Sequence, residues 1–468
     1  MRTKTLRVIG VGTLLTMMTA GAAMAQEAGP SSASDTEAEV RALASRIEDL
    51  DQQLRVLQRK LEIEKEQAIE KAKVTPTVVA GREGYALKSA DGDFLLKFRA
   101  YVQADGRFVG GSDATSGPTT FTLRRVRPVL EATAFKIFDF KLMPDFGGGT
   151  SVLQDAYADL KFAPWFRVRT GKFKAPFGLE RLESATELNF VERGTPTNIA
   201  PNRDLGVMAF GDLASERVTY AVGIFNGVVD GGSTDNDDHS GKDVAARVFV
   251  LPFKKAKDSP LENFGFGLAG TSGTQRGTLT APNLPTYKTA AQQTFFRYRS
   301  DATADGTTLA DGQHWRIGPQ AYYYIGPAGV LTEYYVSSQH VRRATASDNV
   351  RSTAWQVEGT YALTGEKESY RGIVPHRVFD RANGGWGGFE VTARYGNQVI
   401  DDNAFAVFAN PAAAARAAHD SVVGLNWYLN RFVKLTGQFE NIQFDGGAAN
   451  GGDRPAERGV FTRLQFAF

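Results

Sequence analysis

Segments in which apolar and polar residues alternate fill most of this chain, and they constrain its fold more than any other feature. In residues 94–105, read as "FLLKFRAYVQAD", one set of alternate residues is apolar and the other carries the lysine, arginine, glutamine and aspartate. The stretch "RGVFTRLQFAF" keeps the same alternation up to Phe468. A period of two puts alternate side chains on opposite faces of a β-strand. About 16 such strands are predicted between Phe94 and Phe468.

The connections between these segments alternate between short and long. A short turn such as "APW" separates some strands, and long connections such as 174–204 and 273–312 separate others. We expect "VRRATASDN" to be one of the long connections, and an exceptionally long turn at 364–385 to fall on the short side. Loops sorted by side are typical of an outer-membrane barrel, whose closure leaves no strand edge unpaired in lipid.

The sequence therefore predicts an all-β fold, a 16-stranded antiparallel transmembrane β-barrel over residues 90–468, preceded by a short N-terminal α-helical coiled coil. An even number of strands puts both ends of the barrel on the periplasmic side, with Phe468 at the lipid-facing end of the closing strand. A barrel of this size encloses a water-filled lumen rather than a packed core. The faces opposite the apolar ones should then line a pore.

The N-terminal residues have the features of a secretory signal peptide. A basic start with Arg2, Lys4 and Arg7 precedes an apolar run, and "AMA" offers a cleavage site after Ala25. The apolar run is too short for a membrane anchor and lacks a stop-transfer flank. We therefore expect bacterial export, removal of residues 1–25, and a small, polar linker at 26–34.

Residues 35–74 carry a helical pattern instead of a strand pattern. Their apolar residues are spaced alternately by three and four positions: Val40, Leu43, Ile47, Leu50, Leu54, Leu57 and Leu61. This spacing is the a/d seam of a coiled coil, with Asp35 or Ser34 as the cap and Pro76 as the breaker. A coiled coil needs partner chains, so the seam predicts self-association of a coil that hangs into the periplasm. The alternative is a lone amphipathic helix that lies on the barrel.

The composition excludes several classes of protein. The chain has no cysteine, so an exported protein of this sequence is not a disulfide scaffold. Its 54 lysines and arginines face 52 aspartates and glutamates, and loss of the signal peptide leaves 51 against 52. No overall field favours nucleic acid, so any charge selectivity must be local. No nucleophile motif or metal-ligand spacing occurs, and we expect no enzyme activity, catalytic residue, cofactor or metal site.

Basic residues recur in pairs on the predicted inward faces. These pairs are Lys97 with Arg99, Arg125 with Arg127, and Arg167 with Arg169. Residues two apart on a strand are roughly 6.6 Å apart, so a pair can pass an anion from one side chain to the next. Arginine suits a multi-oxygen anion because its fork donates two hydrogen bonds at once. The alternative is an ordinary wet wall of mixed charge, since Asp105, Glu131 and Asp155 face inward too.

The connection 174–204 is too long for a tight hairpin. Its sequence favours helical character around residues 182–192. A loop of this length in a barrel often folds inward as a constriction, and an ordinary extracellular loop is the alternative.

Several stretches together resemble the phosphate-selective porins O and P of Gram-negative outer membranes. They are "GKFKAPFGLERLESATELNFVER", "YALTGEKESY", "VGLNWYLNRFVKLTGQFE" and "RLQFAF". The similarity covers roughly residues 90–468 and is most specific at the C-terminal end, whereas the helix at 35–73 lies outside it. The resemblance implies a 16-stranded barrel, usually trimeric, with an inward third loop and an anion-selective eyelet.

The resemblance also implies which residues form the eyelet. The family's first-strand arginine matches Arg99, its arginine pair matches Arg124 and Arg125, its acidic residue matches Asp155, its basic residue after "FGLE" matches Arg181, and one serine matches Ser184. Three positions depart from the family: Ala185 replaces a second serine, Arg127 replaces a tyrosine, and Glu183 adds a negative charge. By alternation Arg124 falls on the lipid side with Val126 and Leu130, so either a β-bulge re-aims it or it lies near the rim.

The sequence thus favours a passive channel of the Gram-negative outer membrane for small anions, with inorganic phosphate as the leading candidate. Outer-membrane lipid and two further copies in a homotrimer are the expected partners. A weakly selective general porin is one alternative. A second is a structural tether whose coil contacts the cell wall or a periplasmic partner.

Overall fold

The structure is a computed structural model that describes residues 33–81, 84–110, 119–236, 240–256 and 259–468. The predicted signal peptide at 1–25 and most of the linker lie outside the described residues. The chain divides after Lys73 into two compact units, of which the first contains the helix and the second contains the strands.

A 42-residue helix, α1 (Ala33–Val74), forms where the spacing predicts one. Asp35 lies in its first turn, where a negative charge interacts favourably with the helix dipole. The seven seam residues from Val40 to Leu61 are all exposed, by between 53% and 65%. Burial of one such side chain would stabilise a structure by about 1.5–3 kcal/mol. No helix in the described residues has both the length and the apolar character needed to cross a membrane.

The second unit is built from strands, of which the described residues contain twenty. They are β1 (Thr77–Gly81), β2 (Gly84–Lys88), β3 (Leu95–Gly110), β4 (Thr120–Ala134), β5 (Phe138–Asp145), β6 (Val152–Ala163), β7 (Phe166–Lys174), β8 (Arg203–Leu213), β9 (Val218–Phe225), β10 (Asp243–Val250), β11 (Asn263–Arg276), β12 (Thr286–Lys288), β13 (Thr294–Arg297), β14 (Leu309–Ile325), β15 (Ala328–Arg343), β16 (Ala346–Ala362), β17 (Gly388–Ile400), β18 (Ala415–Tyr428), β19 (Val433–Gly446) and β20 (Glu457–Ala467). Short 3₁₀ helices lie at Gly147–Gly149, Thr195–Asn198 and Asp402–Ala404.

Sixteen of these strands, β3–β11 and β14–β20, form a closed antiparallel barrel. Each barrel strand pairs with the next, and β20 pairs with β3 from Arg458 opposite Gly110 to Ala467 opposite Tyr101. Phe468 then exchanges two main-chain hydrogen bonds with Ala100, of 3.0 and 3.1 Å. The predicted fold class is confirmed. The hairpin β1–β2 extends the sheet beside the start of β3, and the hairpin β12–β13 lies in the connection from β11 to β14.

The two faces of the strands differ as the alternation predicts. On β3 the outward residues Phe98, Val102 and Phe108 are exposed by 36% to 43%, whereas the inward residues Gln103 and Asp105 are at most 2% exposed. This distribution inverts that of a soluble sheet. The apolar side chains face outward, as in a barrel built to lie in lipid, and the polar side chains contact one another inside.

Most of the connections follow the predicted division into short and long. "VRRATASDN" is not a long connection, because β15 and β16 pair through Arg343 opposite Ala346 and leave a turn of only two residues, 344–345. Polar residues extend these two strands beyond the apolar band. The turn at 363–387 is long, as expected.

The connection that contains β12 and β13 packs into the mouth of the barrel. Tyr287, Phe295 and Phe296 are at most 1% exposed, and they belong to an apolar cluster with Phe444 and Ile400 on the barrel wall. The Tyr287 hydroxyl donates to Asp230 Oδ2 at 2.8 Å and lies 3.1 Å from Ser352 Oγ. We call residues 286–297 the mouth hairpin.

Candidate functional site

A polar cavity of about 1420 Å³ lies inside the barrel. It is bounded mainly by β3–β9 and by residues 175–202, the connection from β7 to β8, which we call the inner loop. Among the described residues, fifteen lysines and arginines line this cavity against eight aspartates and glutamates. The lumen is therefore locally positive there, although the chain as a whole is close to neutral.

All the residues predicted for the anion eyelet line this one cavity. They are Arg99, Arg124, Arg125, Arg127, Asp155, Arg181 and Ser184. The structure thus brings them together, but it also gives most of them a partner within the protein. Their role in anion binding stays a prediction.

Arg124 reaches the cavity through a β-bulge in β4. In the pairing with β3, Gln103 faces Arg125 and Ala104 faces Leu123, so Arg124 is the extra residue. A bulge re-aims the side chain at the irregularity. Two neighbouring arginines therefore point inward, as Arg125 is 3% exposed and the Arg124 side chain keeps 30% of its surface accessible. Of the two explanations for the face of Arg124, the bulge is the correct one.

A carboxylate of the inner loop lies among four arginines of the wall. Glu192 Oε1 is 2.5 Å from Arg124 Nε and 2.7 Å from Arg107 Nη2. Its Oε2 is 3.4 Å from Arg125 Nη2, and Arg463 Nη2 lies 3.8 Å from Oε1. We call Arg107, Arg124, Arg125 and Arg463 the arginine cluster. Although burial alone would raise it, the charges of the cluster hold the pKa of Glu192 well below its ordinary value.

The other arginines on the basic faces are paired one by one with acids. Arg127 Nε lies 2.7 Å from Asp145 Oδ2, and its Nη1 donates to Tyr101 Oη at 2.9 Å. Arg99 Nη2 lies 2.5 Å from Glu131 Oε1. On β7, Arg167 pairs with Asp212 at 2.5 Å and Arg169 pairs with Asp159 at 2.7 Å.

The predicted acidic residue of the eyelet, Asp155, is held by two cations. Its carboxylate oxygens lie 2.7 Å from Arg203 Nε and 3.1 Å from Lys141 Nζ. Asp155 therefore orients two basic side chains at the cavity wall.

The remaining predicted residues belong to the inner loop itself. The Arg181 guanidinium donates to the carbonyl of Thr197 in the same loop, and Ser184 Oγ lies 2.9 Å from Thr186 Oγ1. Burial, together with the charge of Glu180, raises the pKa of Glu183 well above its ordinary value. The extra negative charge that Glu183 could add is thereby weakened.

Side chains of β17–β19, which we call the far wall, bind the main chain of the inner loop. Lys434 Nζ donates to Leu188 O at 2.7 Å, Asn426 Nδ2 donates to Asn189 O at 2.9 Å, Val191 N donates to Gln438 Oε1 at 2.8 Å, and Arg394 Nη1 donates to Glu192 O at 3.0 Å. These hydrogen bonds occupy main-chain carbonyl and N–H groups that a helix would pair with each other. The helical character predicted for 182–192 is accordingly wrong, and residues 182–192 form turns.

Carboxylates crowd the strands β15–β19 next to the same loop. Glu333, Glu358, Glu390, Asp420 and Glu440 are each at most 3% exposed. Glu333 accepts hydrogen bonds from the main-chain N–H groups of Leu179 and Glu180, while Arg394 lies 3.0 Å from Asp420. The inner loop thus contacts arginines on one side and buried acids on the other.

A serine, a histidine and an aspartate also meet near the mouth, but not as a catalytic triad. Ser337 Oγ and Asp230 Oδ1 both lie 3.1 Å from the same ring nitrogen, His314 Nε2. A triad needs the two partners on opposite ring nitrogens. In the ranges that the structure describes, no group of three or more His, Cys, Asp or Glu side chains could hold a metal ion.

Sequence reasoning missed Glu192, Arg107 and Arg463 as members of the site. The alternation on β20 puts Arg463 on the inward face, which was a usable signal. Nothing local in the sequence marks Glu192, because its position depends on contacts with strands far away in the chain.

Comparison with known proteins gives matches over most of the chain. The family model described as phosphate-selective porin O and P matches residues 96–468. Porin O of Pseudomonas aeruginosa is 24% identical over 418 residues, which cover 84% of this chain and 92% of that protein. The solved outer membrane channel DcaP of Acinetobacter baumannii is similar with a TM-score of 0.54 and 13% identity, covering 83% of this chain and 100% of that one. A loop L8 deletion mutant of OmpT from Vibrio cholerae is similar with a TM-score of 0.50 and 11% identity, covering 80% of this chain and 100% of that one.

Proposed function

This chain belongs to the phosphate-selective porin O and P family, and we propose that it is an outer-membrane porin through which small anions, phosphate foremost, diffuse passively. The observation that carries the proposal is the lining of the cavity, where the basic side chains in the described part of the chain outnumber the acidic ones by fifteen to eight. An excess of one sign in a narrow, water-filled space concentrates counter-ions and excludes ions of the same sign.

The transport step needs no covalent chemistry and no cofactor. A phosphate that enters the cavity loses part of its hydration shell, and guanidinium groups replace the lost hydrogen bonds. Arg124 is the best placed to begin this exchange, since 30% of its side chain is accessible whereas that of Arg125 is 4% accessible. Binding must stay weak enough for release, because a pore conducts only if the ion leaves as readily as it enters.

We propose further that the inner loop narrows the pore. Its support is the set of hydrogen bonds that hold residues 188–192 to the far wall, together with the contacts of Glu192 to the arginine cluster. A loop fixed to both sides of a barrel leaves a smaller opening than the barrel alone.

A planar-bilayer experiment tests the proposal. The mature protein is reconstituted, single-channel current is recorded in chloride, and phosphate is titrated. We expect anion selectivity and a saturable block by phosphate, weakened by Arg125→Ala. Arg217→Ala is the matched control, because Arg217 is exposed and lies in the turn between β8 and β9, away from the cavity. Ohmic current without block, and without preference for anions, would leave a general porin as the better reading.

We propose self-association through α1 as a second property, supported by the exposed seam; a homotrimer is the state that the family resemblance implies. The chain has no native cysteine, so single cysteines report on proximity directly. Leu50→Cys, at a d position, should give a disulfide between chains under mild oxidation. Ser45→Cys, on the opposite face of the helix, should not. Equal cross-linking of both variants would contradict a specific seam.

The alternative role of α1 is that of a tether to the cell wall or to a periplasmic partner. Deletion of residues 35–74 separates the two roles. Loss of envelope integrity with unchanged conductance favours the tether, and loss of self-association alone favours the coiled coil.

A further inference from the structure

The arginine cluster already holds an anion that belongs to the protein. Four guanidinium groups from three strands converge on one carboxylate, that of Glu192, with the shortest contacts at 2.5 and 2.7 Å to Arg124 and Arg107. A carboxylate and a phosphate use the same donors, since both accept hydrogen bonds from an arginine fork. Glu192 thus takes up donors that a permeating anion would need.

The main chain fixes the position of Glu192. The N–H of Val191 donates to Gln438 at 2.8 Å, and the carbonyl of Glu192 accepts from Arg394 at 3.0 Å. The Arg394 guanidinium also stacks 4.6 Å from the ring centre of Phe190. Side chains of the far wall thus contact three consecutive residues, Phe190, Val191 and Glu192. These contacts fix the main chain at Glu192, and they thereby fix the position of its carboxylate in the arginine cluster.

We propose that Glu192 is a specificity-determining residue, a built-in counter-ion that occupies the arginine cluster and competes there with permeating anions. This inference rests on the proposed anion conduction. By supplying one carboxylate permanently, the protein helps Asp105 to balance the charge of three buried arginines and of the partly exposed Arg124 without a ligand. It also lowers the affinity of the cluster for phosphate, so an anion that meets Arg124 is attracted but is not trapped.

The protonation state of Glu192 agrees with this role. The arginine charges hold its pKa well below the ordinary value of a glutamate. The carboxylate is therefore ionised throughout the neutral range, and its competition should not change between about pH 5 and pH 8.

The test removes the counter-ion and measures phosphate block of the chloride current in planar bilayers. Glu192→Gln should lower the phosphate concentration for half block about tenfold, or by more, and should raise the permeability of chloride relative to potassium. Glu192→Asp keeps the charge but shortens its reach, so it should lower the half-blocking concentration by less. Because these effects come from charge and reach, the swelling rate of proteoliposomes in an uncharged sugar should stay unchanged.

Glu187→Gln is the matched control. Glu187 lies on the same loop and lines the same cavity, and its substitution by glutamine removes the same charge. Its ion-pair partner is Arg371, at 4.0 Å, which is not part of the arginine cluster. Heat-modifiable mobility in SDS gels checks that each variant forms a barrel. If Glu192→Gln does not fold, Glu192→Asp decides the question alone.

The outcomes separate the inference from the function on which it rests. Stronger block in the Glu192 variants and not in Glu187→Gln supports the counter-ion. An anion-selective, blockable wild type whose Glu192 variants are unchanged, or match Glu187→Gln, overturns the inference and leaves the proposed function standing. A wild type that prefers cations and shows no block overturns both.

Discussion

Arg463 holds Asp105 in a bidentate ion pair, with Nε 2.7 Å from Oδ1 and Nη2 2.8 Å from Oδ2. The two residues are 3% and 2% exposed, and they lie on β20 and β3, the strands at which the barrel closes. With main-chain pairing alone, the junction of β20 and β3 would not differ from any other pair of neighbouring strands in the barrel. The ion pair adds a contact that exists only when the ring is complete.

Removal of one partner of this pair should destabilise the closed barrel. We expect Arg463→Met to lower the free energy of unfolding by about 3 kcal/mol, the lower end of the range for a broken buried pair, because Arg107 remains 3.3 Å from Asp105. The measurement is the temperature at which the barrel loses its heat-modifiable mobility in SDS. Arg458→Met, at an exposed position on the same strand, should change that temperature little.

The bulge at Arg124 should be sensitive to a residue that carries no charge. A Cβ added at Gly147 would lie 2.6 Å from the Arg124 carbonyl oxygen and 2.8 Å from Arg125 Cα. Gly147→Ala must therefore push the two arginines away from their positions, and we expect a weaker phosphate block without loss of any basic residue. Gly359→Ala, where nothing lies within 4 Å of the added atom, is the control. An unchanged block in Gly147→Ala would show that the bulge is not needed.

Loosening the inner loop should change the current through a single channel. Gln438→Ala removes the acceptor of the Val191 N–H, and an unsatisfied buried donor costs about 1–3 kcal/mol. We expect larger current fluctuations, because the loop then samples positions away from the far wall. Gln443→Ala, at an exposed position on the same strand, should behave like the wild type. Equal noise in both variants would argue against a loop held by these contacts.

The mouth hairpin should depend on one hydroxyl group. Tyr287→Phe removes the hydroxyl group that donates to Asp230 Oδ2, so the hairpin no longer forms a hydrogen bond with that oxygen. We expect faster cleavage within residues 286–297 by an added protease, while the barrel itself stays resistant. Tyr361→Phe changes a tyrosine that is 51% exposed and should leave the cleavage rate as it is. Cleavage at the wild-type rate in Tyr287→Phe would assign the hold on the hairpin to its apolar contacts.

Much of the fold could be predicted because the environment imposes a simple rule on each strand. Lipid outside and water inside fix which alternate residues are apolar, so the faces of β3 and β20 could be assigned from local sequence alone. The turn at 344–345 could not, since the polar ends of β15 and β16 look like loop when read by composition. Strand pairing, and not residue type, sets where those strands end.

The site could be predicted only where the alternation of inward and outward residues determines it. Arg99, Arg125 and Asp155 face the lumen by alternation, and the structure places them there. The partner of the arginines was not predictable, because Glu192 is positioned by Arg394, a residue 202 positions away. The residues of 182–192 favour a helix by propensity. The side chains of the far wall offered the main chain a different set of partners.

The pairing of β20 with β3 has a consequence for how the molecule is made. Asp105 and Arg463 are 358 residues apart in the chain, so the contact that completes the ring joins the earliest barrel strand to the latest one. Contacts of such long sequence separation form slowly, because the intervening chain loses entropy before they contribute. Synthesis of the last strand must therefore precede closure of the barrel. Until then, the unfinished polypeptide has to be kept from aggregating. A chain shortened by a single strand would not make a smaller channel; it would leave two open edges with no partner in the membrane.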